Sequence, residues 1–200
     1  RRFVALRGDP PGGVGSAYQP HPGGYANAAE LVGALRERGD FDISVSAYPE
    51  KHPESRDTAA DIDMLKRKAE NGADRALTQF FFDNDAFERY HDSVRAAGIE
   101  IPVVPGIMPI QNLTQLKRFA GACGTNIPSW LDERFAGLDE NTEERARVAA
   151  EVAAEQIQDL MRRGIHEFHL YTMNRSALVS AVLERLGLQR KVDARAGAAA

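Results

Sequence analysis

Along the chain, short runs of β-branched and aromatic residues alternate with longer stretches whose apolar positions recur every three to four residues. The short runs are FVALRGD (3–9), FDISVSAYP (41–49), RALTQFFFD (75–83), IPVVPGI (101–107) and HEFHLYTMNR (166–175), and each predicts a buried strand. The longer stretches YANAAELVGALRERG, TAADIDMLKRKAENG, DAFERYHDSVRAAG, NLTQLKRFAGAC and TEERARVAAEVAAEQIQDLMRRG predict helices. All but the fourth end on a glycine (Gly39, Gly72, Gly98, Gly164), the residue that accepts positive φ just past a helix end. A last helix is expected over 176–186, before Gly187, and the tail ending in RAGAAA (189–200) reads as disordered. Strand–helix alternation of this kind predicts a parallel sheet with right-handed crossovers.

An eight-unit barrel takes about 250 residues, or about 30 per unit, whereas five strands fill nearly all of these 200 residues. The chain opens on RRF and its first strand starts at once. Residues 1–188 therefore fit about the last five strands of a (βα)8 TIM barrel, with about three βα units expected upstream. A doubly wound five-stranded sheet is the rival, but the glycine fingerprint G-x-G-x-x-G follows none of the strands. GGVGSAYQPHPGG is a long loop rather than a tight phosphate turn.

Composition narrows the function classes. With 43% apolar residues, net charge -4 and one cysteine, Cys123, the chain reads as one soluble domain in a reducing, cytoplasmic setting. No apolar run approaches the roughly 18 residues of a membrane span, and dispersed Lys and Arg form no basic stripe, so neither membrane nor nucleic acid is an expected partner. His166 and His169, three apart on an expected strand, point to opposite faces. His21, His52 and His91 have no ligand-spaced partner, so no metal is expected.

Parallel α/β folds place their chemistry at the carboxyl ends of strands, and there this sequence sets its unusual residues: Arg7, Gly8 and Asp9; Tyr48, Glu50 and His52; Gln79; Pro105 and Gly106; Tyr171, Asn174 and Arg175. Asp9 suits a loop turn or a ligand contact. Tyr48 and His52 suit a barrel rim, but the prolines around them favour a ligand role. Asp61, Met64 and Lys68 share one helix face, with Arg67 alongside, which suits either an exposed charged face or a ribose and diphosphate. Gln79 sits within an otherwise apolar strand, where its amide needs a neighbour or a ligand. Phe119 shares helical spacing with Leu116, a core pattern. Arg175 suits a surface ion pair, a carboxylate or a phosphate.

In this order LRGDPP, DISVSAYPEKHPES, LKRKAENGADRALTQFFFD, PGIMPI and FHLYTMNR resemble the methylenetetrahydrofolate reductases over about residues 3–188. The resemblance implies a TIM-barrel flavoprotein of one-carbon metabolism and methionine biosynthesis. It would hold FAD, take hydride from NADH or NADPH, and reduce methylenetetrahydrofolate through flavin N5. It assigns to FAD the positions Arg7, Gly8, Asp9, Tyr25, Ala26, Tyr48, His52, Ser55, Asp61, Met64, Arg67 and Lys68. Asp9 and Gln79 are implied in catalysis, and Asp9, Gln79, Gln115, Phe119 and Arg175 in holding the folate. The family's general-acid glutamate would lie upstream of Arg1, and no S-adenosylmethionine-responsive domain is expected after 188. The loop from Pro10 to Gly24 is richer in glycine than the family pattern. The alternative is a non-catalytic flavin- or folate-binding partial barrel that needs a partner chain or further strands. Open barrel edges or the apolar helix ARVAAEVAAEQI would support a homo-oligomer.

Overall fold

The residues 1–12 and 18–188 are described by a computed structural model; the expected tail 189–200 and part of the glycine-rich loop lie outside the described residues. The strands are β1 (Arg2–Ala5), β2 (Asp42–Ala47), β3 (Arg75–Phe80), β4 (Val103–Ile107) and β5 (His169–Leu170), paired in parallel in sequence order as one curled half-barrel sheet. The helices are α1 (Ala28–Arg38), α2 (Thr58–Glu70), α3 (Asn84–Ala96), α4 (Leu113–Cys123), α5 (Trp130–Phe135), α6 (Thr142–Arg162) and α7 (Ser176–Arg185). Every parallel link passes through at least one helix, as the alternation requires.

Asn27, Asp57, Asp83, Asn112 and Asn141 each cap a helix by accepting hydrogen bonds from its first backbone N–H groups. The expected glycine stops hold, and α4 also ends on a left-handed glycine, Gly124, at φ +73°. Two expectations differ. Strand β5 has only two residues, because Met173 and Asn174 turn the chain into α7 with positive φ. The sequence pattern also missed α5, six residues behind Pro128, too short to show a helical period.

Ile43, Val45 and Ala47 of β2, Ala76 of β3, and Val103 and Ile107 of β4 meet Val32, Leu65, Val94 and the Ala-rich face of α6 in the main core. A second core gathers Phe80, Phe82, Met108 and Ile110 under α4, α5 and α6. Residues alternate along β3: Ala76, Thr78 and Phe80 are buried, while Leu77 and Gln79 on the other face are half exposed. Val4 and Leu6 are 57% and 53% exposed.

Gly106 has to be glycine. A Cβ there would lie 2.3 Å from the Thr78 carbonyl oxygen and 2.7 Å from the Tyr171 ring. Around it the β3–β4 ladder shifts register, and the Thr78 hydroxyl accepts from Gly106 N at 2.8 Å in place of a strand carbonyl.

Candidate functional site

The carboxyl ends of β1 and β2 and one face of α2 enclose a cavity of about 570 Å³. The chain emerging from β1 supplies Arg7, Gly8 and Asp9. Arg7 is held in a fork by Glu54, with contacts of 2.6 and 3.0 Å, and lies 4.3 Å over the Tyr18 ring. This pair holds the Glu54 carboxyl below its ordinary range and raises the Arg7 guanidinium further. Gly8 turns the chain at φ +75°.

The loop after β2 is tied to α2 by one carboxylate. Asp61 accepts from His52 N at 2.8 Å through one oxygen and from the Ser55 hydroxyl through the other. Lys51 fastens the same loop by donating to the Ser55 carbonyl at 2.8 Å. His52 stands edge-on to Tyr48, with ring centroids 4.6 Å apart. Its Nδ1 accepts from Glu54 N at 3.1 Å, and burial lowers its pKa, so the neutral ring is the form present at pH 7. Burial raises the Tyr48 phenol, with Asp61 and Asp9 adding to the rise and Ser46 and Arg7 opposing it.

Lys68 closes the inner end of the cavity. It is 5% exposed, and its ammonium donates to the carbonyl and hydroxyl oxygens of Ser46 at 2.9 and 3.1 Å. Burial pulls its pKa down to about 8, only partly offset by Asp61. Arg7, Gly8, Asp9, Ala26, Tyr48, His52, Ser55, Asp61, Met64 and Lys68 all line this one cavity. Tyr25 and Arg67 do not. Tyr25 is exposed, its hydroxyl accepting from Arg38, and Arg67 points to solvent although its helix neighbours at 64 and 68 face inward.

The remaining positions lie outside this cavity. Gln79 is half exposed at the end of β3 rather than enclosed, and its side-chain oxygen accepts from Phe80 N at 3.1 Å. Phe119 on α4 packs edge-on to Phe80 at 5.6 Å, and Phe80 in turn meets Tyr171. Gln115 and Arg175 line a separate cavity of about 990 Å³ between α4, α6 and α7, together with Arg145, Arg147 and Arg185. Gln79 lines neither of these two cavities.

Sequence reasoning passed over Glu54 as the clamp on Arg7 and Ser46 as the acceptor for Lys68. Both partners are far away in the chain, and no local spacing marks them. Among the described residues no group of three or more His, Cys, Asp or Glu side chains is placed to hold a metal ion, and no helix is long and apolar enough to cross a membrane.

A family model described as methylenetetrahydrofolate reductase matches residues 1–187. The chain is 46% identical over 189 residues to the 5,10-methylenetetrahydrofolate reductase of Salmonella typhimurium and 44% identical over 189 residues to that of Escherichia coli, in each case covering 94% of this chain and 62% of the relative. Methylenetetrahydrofolate reductase (NADH) 1 of Arabidopsis thaliana is 38% identical over 199 residues, 94% of this chain and 33% of the plant protein. The chain thus spans about 62% of the length of its bacterial relatives. Among solved structures, an uncharacterized protein from Clostridium thermocellum, described as binding two copies of 5-methyl-5,6,7,8-tetrahydrofolic acid, superposes with a TM-score of 0.54 at 15% identity, covering 80% of this chain and 57% of that one. At that identity the likeness speaks for the fold alone.

Proposed function

The chain belongs to the methylenetetrahydrofolate reductase family, and from that premise we propose that it forms the flavin- and folate-binding part of an enzyme that reduces 5,10-methylenetetrahydrofolate to 5-methyltetrahydrofolate with NADH or NADPH. The observation that carries the reading is the meeting of ten positions, implied for FAD by motifs scattered from residue 7 to residue 68, in one cavity. Its chemistry suits a dinucleotide: a buried ammonium and an arginine for a diphosphate, hydroxyl and carboxylate groups for a ribose, and an aromatic pair at the rim.

When bound, FAD would supply the hydride relay between nicotinamide and folate. The chain's own residues bind and orient. Lys68, its ammonium oriented by the Ser46 oxygens, neutralises phosphate charge at the inner end. The Arg7–Glu54 fork holds the β1 end in place, so that Asp9 presents its carboxylate to the flavin and pterin. Gln79 offers its free amide N–H groups to folate and nicotinamide in turn. Phe119 supplies a stacking face already braced by Phe80, and Arg175 receives the carboxylate of the folate tail. A cytoplasmic, self-associating enzyme completes the reading.

The test is spectroscopic. FAD added anaerobically to the purified chain should be retained through gel filtration, bleach on addition of NADH, and regain its colour with methylenetetrahydrofolate. Retention without bleaching would favour a non-catalytic flavin-binding partial barrel. Failure to retain FAD, with the fold intact by circular dichroism, would refute the assignment of this cavity.

A further inference from the structure

Three residues just after α4 touch the loop after β2 and the end of β3, and each makes a different contact. Gly124, at φ +73°, packs so closely on the flavin-side loop that a Cβ would lie 2.5 Å from the Lys51 carbonyl oxygen and 3.4 Å from Pro53. Thr125 is buried, and its hydroxyl donates to the Phe80 carbonyl at 2.9 Å, at the end of β3 beside Gln79. Asn126 N donates to the Glu50 carboxylate at 3.1 Å. Glu50 and Lys51 lie between Tyr48 and His52, and Lys51 is held at φ +130°, a backbone conformation a lysine rarely adopts. Helix α4, which ends at this bridge, carries Gln115 and Phe119.

We propose that Glu50 is a positioning residue that latches the flavin-side loop to the segment after α4, so that filling the flavin cavity orders the end of the helix that carries Gln115 and Phe119. The inference rests on the flavin reading above. The physical ground is that Glu50 makes the one side-chain hydrogen bond, among the described residues, between the 48–55 loop and the segment after α4, while Gly124 and Thr125 supply the close packing against which it pulls. Burial raises the Glu50 carboxyl, with the bond from Asn126 opposing the rise, as expected of a group committed to an internal contact. A ligand that fixes Tyr48 and His52 therefore also fixes Asn126, and with it the last turn of α4. In thermodynamic terms this is a coupling between cofactor and substrate binding.

Amide hydrogen exchange on the full chain tests it, with Glu50→Ala and Glu50→Gln beside the unsubstituted chain. Without ligand, the Asn126 amide should exchange roughly tenfold faster in Glu50→Ala and near the original rate in Glu50→Gln, whose amide oxygen still accepts. With FAD, exchange should slow in residues 48–61 of all three chains. In residues 113–126 it should slow only in the unsubstituted chain and in Glu50→Gln. Protection of 113–126 that survives in Glu50→Ala, or that is missing from the unsubstituted chain while 48–61 is protected, overturns the latch and leaves the flavin reading standing. Loss of FAD protection in both segments of the unsubstituted chain overturns the flavin reading and the latch with it.

Discussion

Replacing Lys68 with methionine separates what this residue costs the fold from what it does for the ligand. The residue is 5% exposed, and its ammonium is bonded to Ser46 and titrates at about 8 instead of 10.5 because burial disfavours the charge. Below pH 8 the lysine is protonated in both the folded and the unfolded chain, and the folded chain bears the full desolvation cost. Between about 8 and 10.5 the unfolded chain stays protonated while the folded chain does not, so stability rises with pH through that window. At about 1.4 kcal/mol per pH unit the interval corresponds to about 3 kcal/mol. Lys68→Met has similar volume and no such titration. Urea unfolding at pH 7 and pH 10.5 should therefore show the difference between variant and parent shifting by about 3 kcal/mol in favour of the parent at the higher pH; other titrating groups cancel in the comparison. FAD affinity should fall in the variant at pH 7 and should fall in the parent as pH rises through 8, since a diphosphate favours the ammonium. A stability difference that is the same at both pH values would refute the assignment of a buried, destabilised cation.

Three further substitutions test other parts of the site. Gly106→Ala would press a methyl group against the Thr78 carbonyl at 2.3 Å, backbone that cannot rotate away, and should cost about 3 kcal/mol or more in urea unfolding. Arg7→Gln breaks a half-exposed fork with Glu54, so thermal unfolding should move by less than about 1 kcal/mol, while FAD titration by fluorescence quenching should show weaker binding. Phe119→Ala removes a half-buried ring packed on Phe80 and should cost about 1–3 kcal/mol by chemical denaturation. Folate affinity should fall while flavin retention is kept.

Apart from α5, the order of strands and helices was legible in the sequence because the strands and longer helices carry their own period and those helices their own cap or stop. β2 and β3 read as apolar runs, and α1, α2, α3 and α6 close on glycines. Positions 61, 64 and 68 could be placed on one face because helical geometry is local. Local rules fail where the decision is made by distant partners. Lys68 turns inward onto Ser46, 22 positions earlier in the chain and an acceptor that its own helix does not mark, while its neighbour Arg67 points to solvent. Gln79 looked enclosed by an apolar strand, but the sheet leaves its face half open.

What the sequence determined by itself is therefore the βα alternation, the edges of its helices and the set of polar residues placed at strand ends, since all of these follow from backbone preferences and side-chain periodicity over a few residues. Only the tertiary structure decided which of those residues share a cavity. It also decided that Glu54 clamps Arg7 across 47 positions of chain, and that Asn126 reaches back across 76 positions to Glu50. Such pairings are set by how a curled sheet brings separate strand ends together, a constraint on the whole chain that no short window of sequence contains.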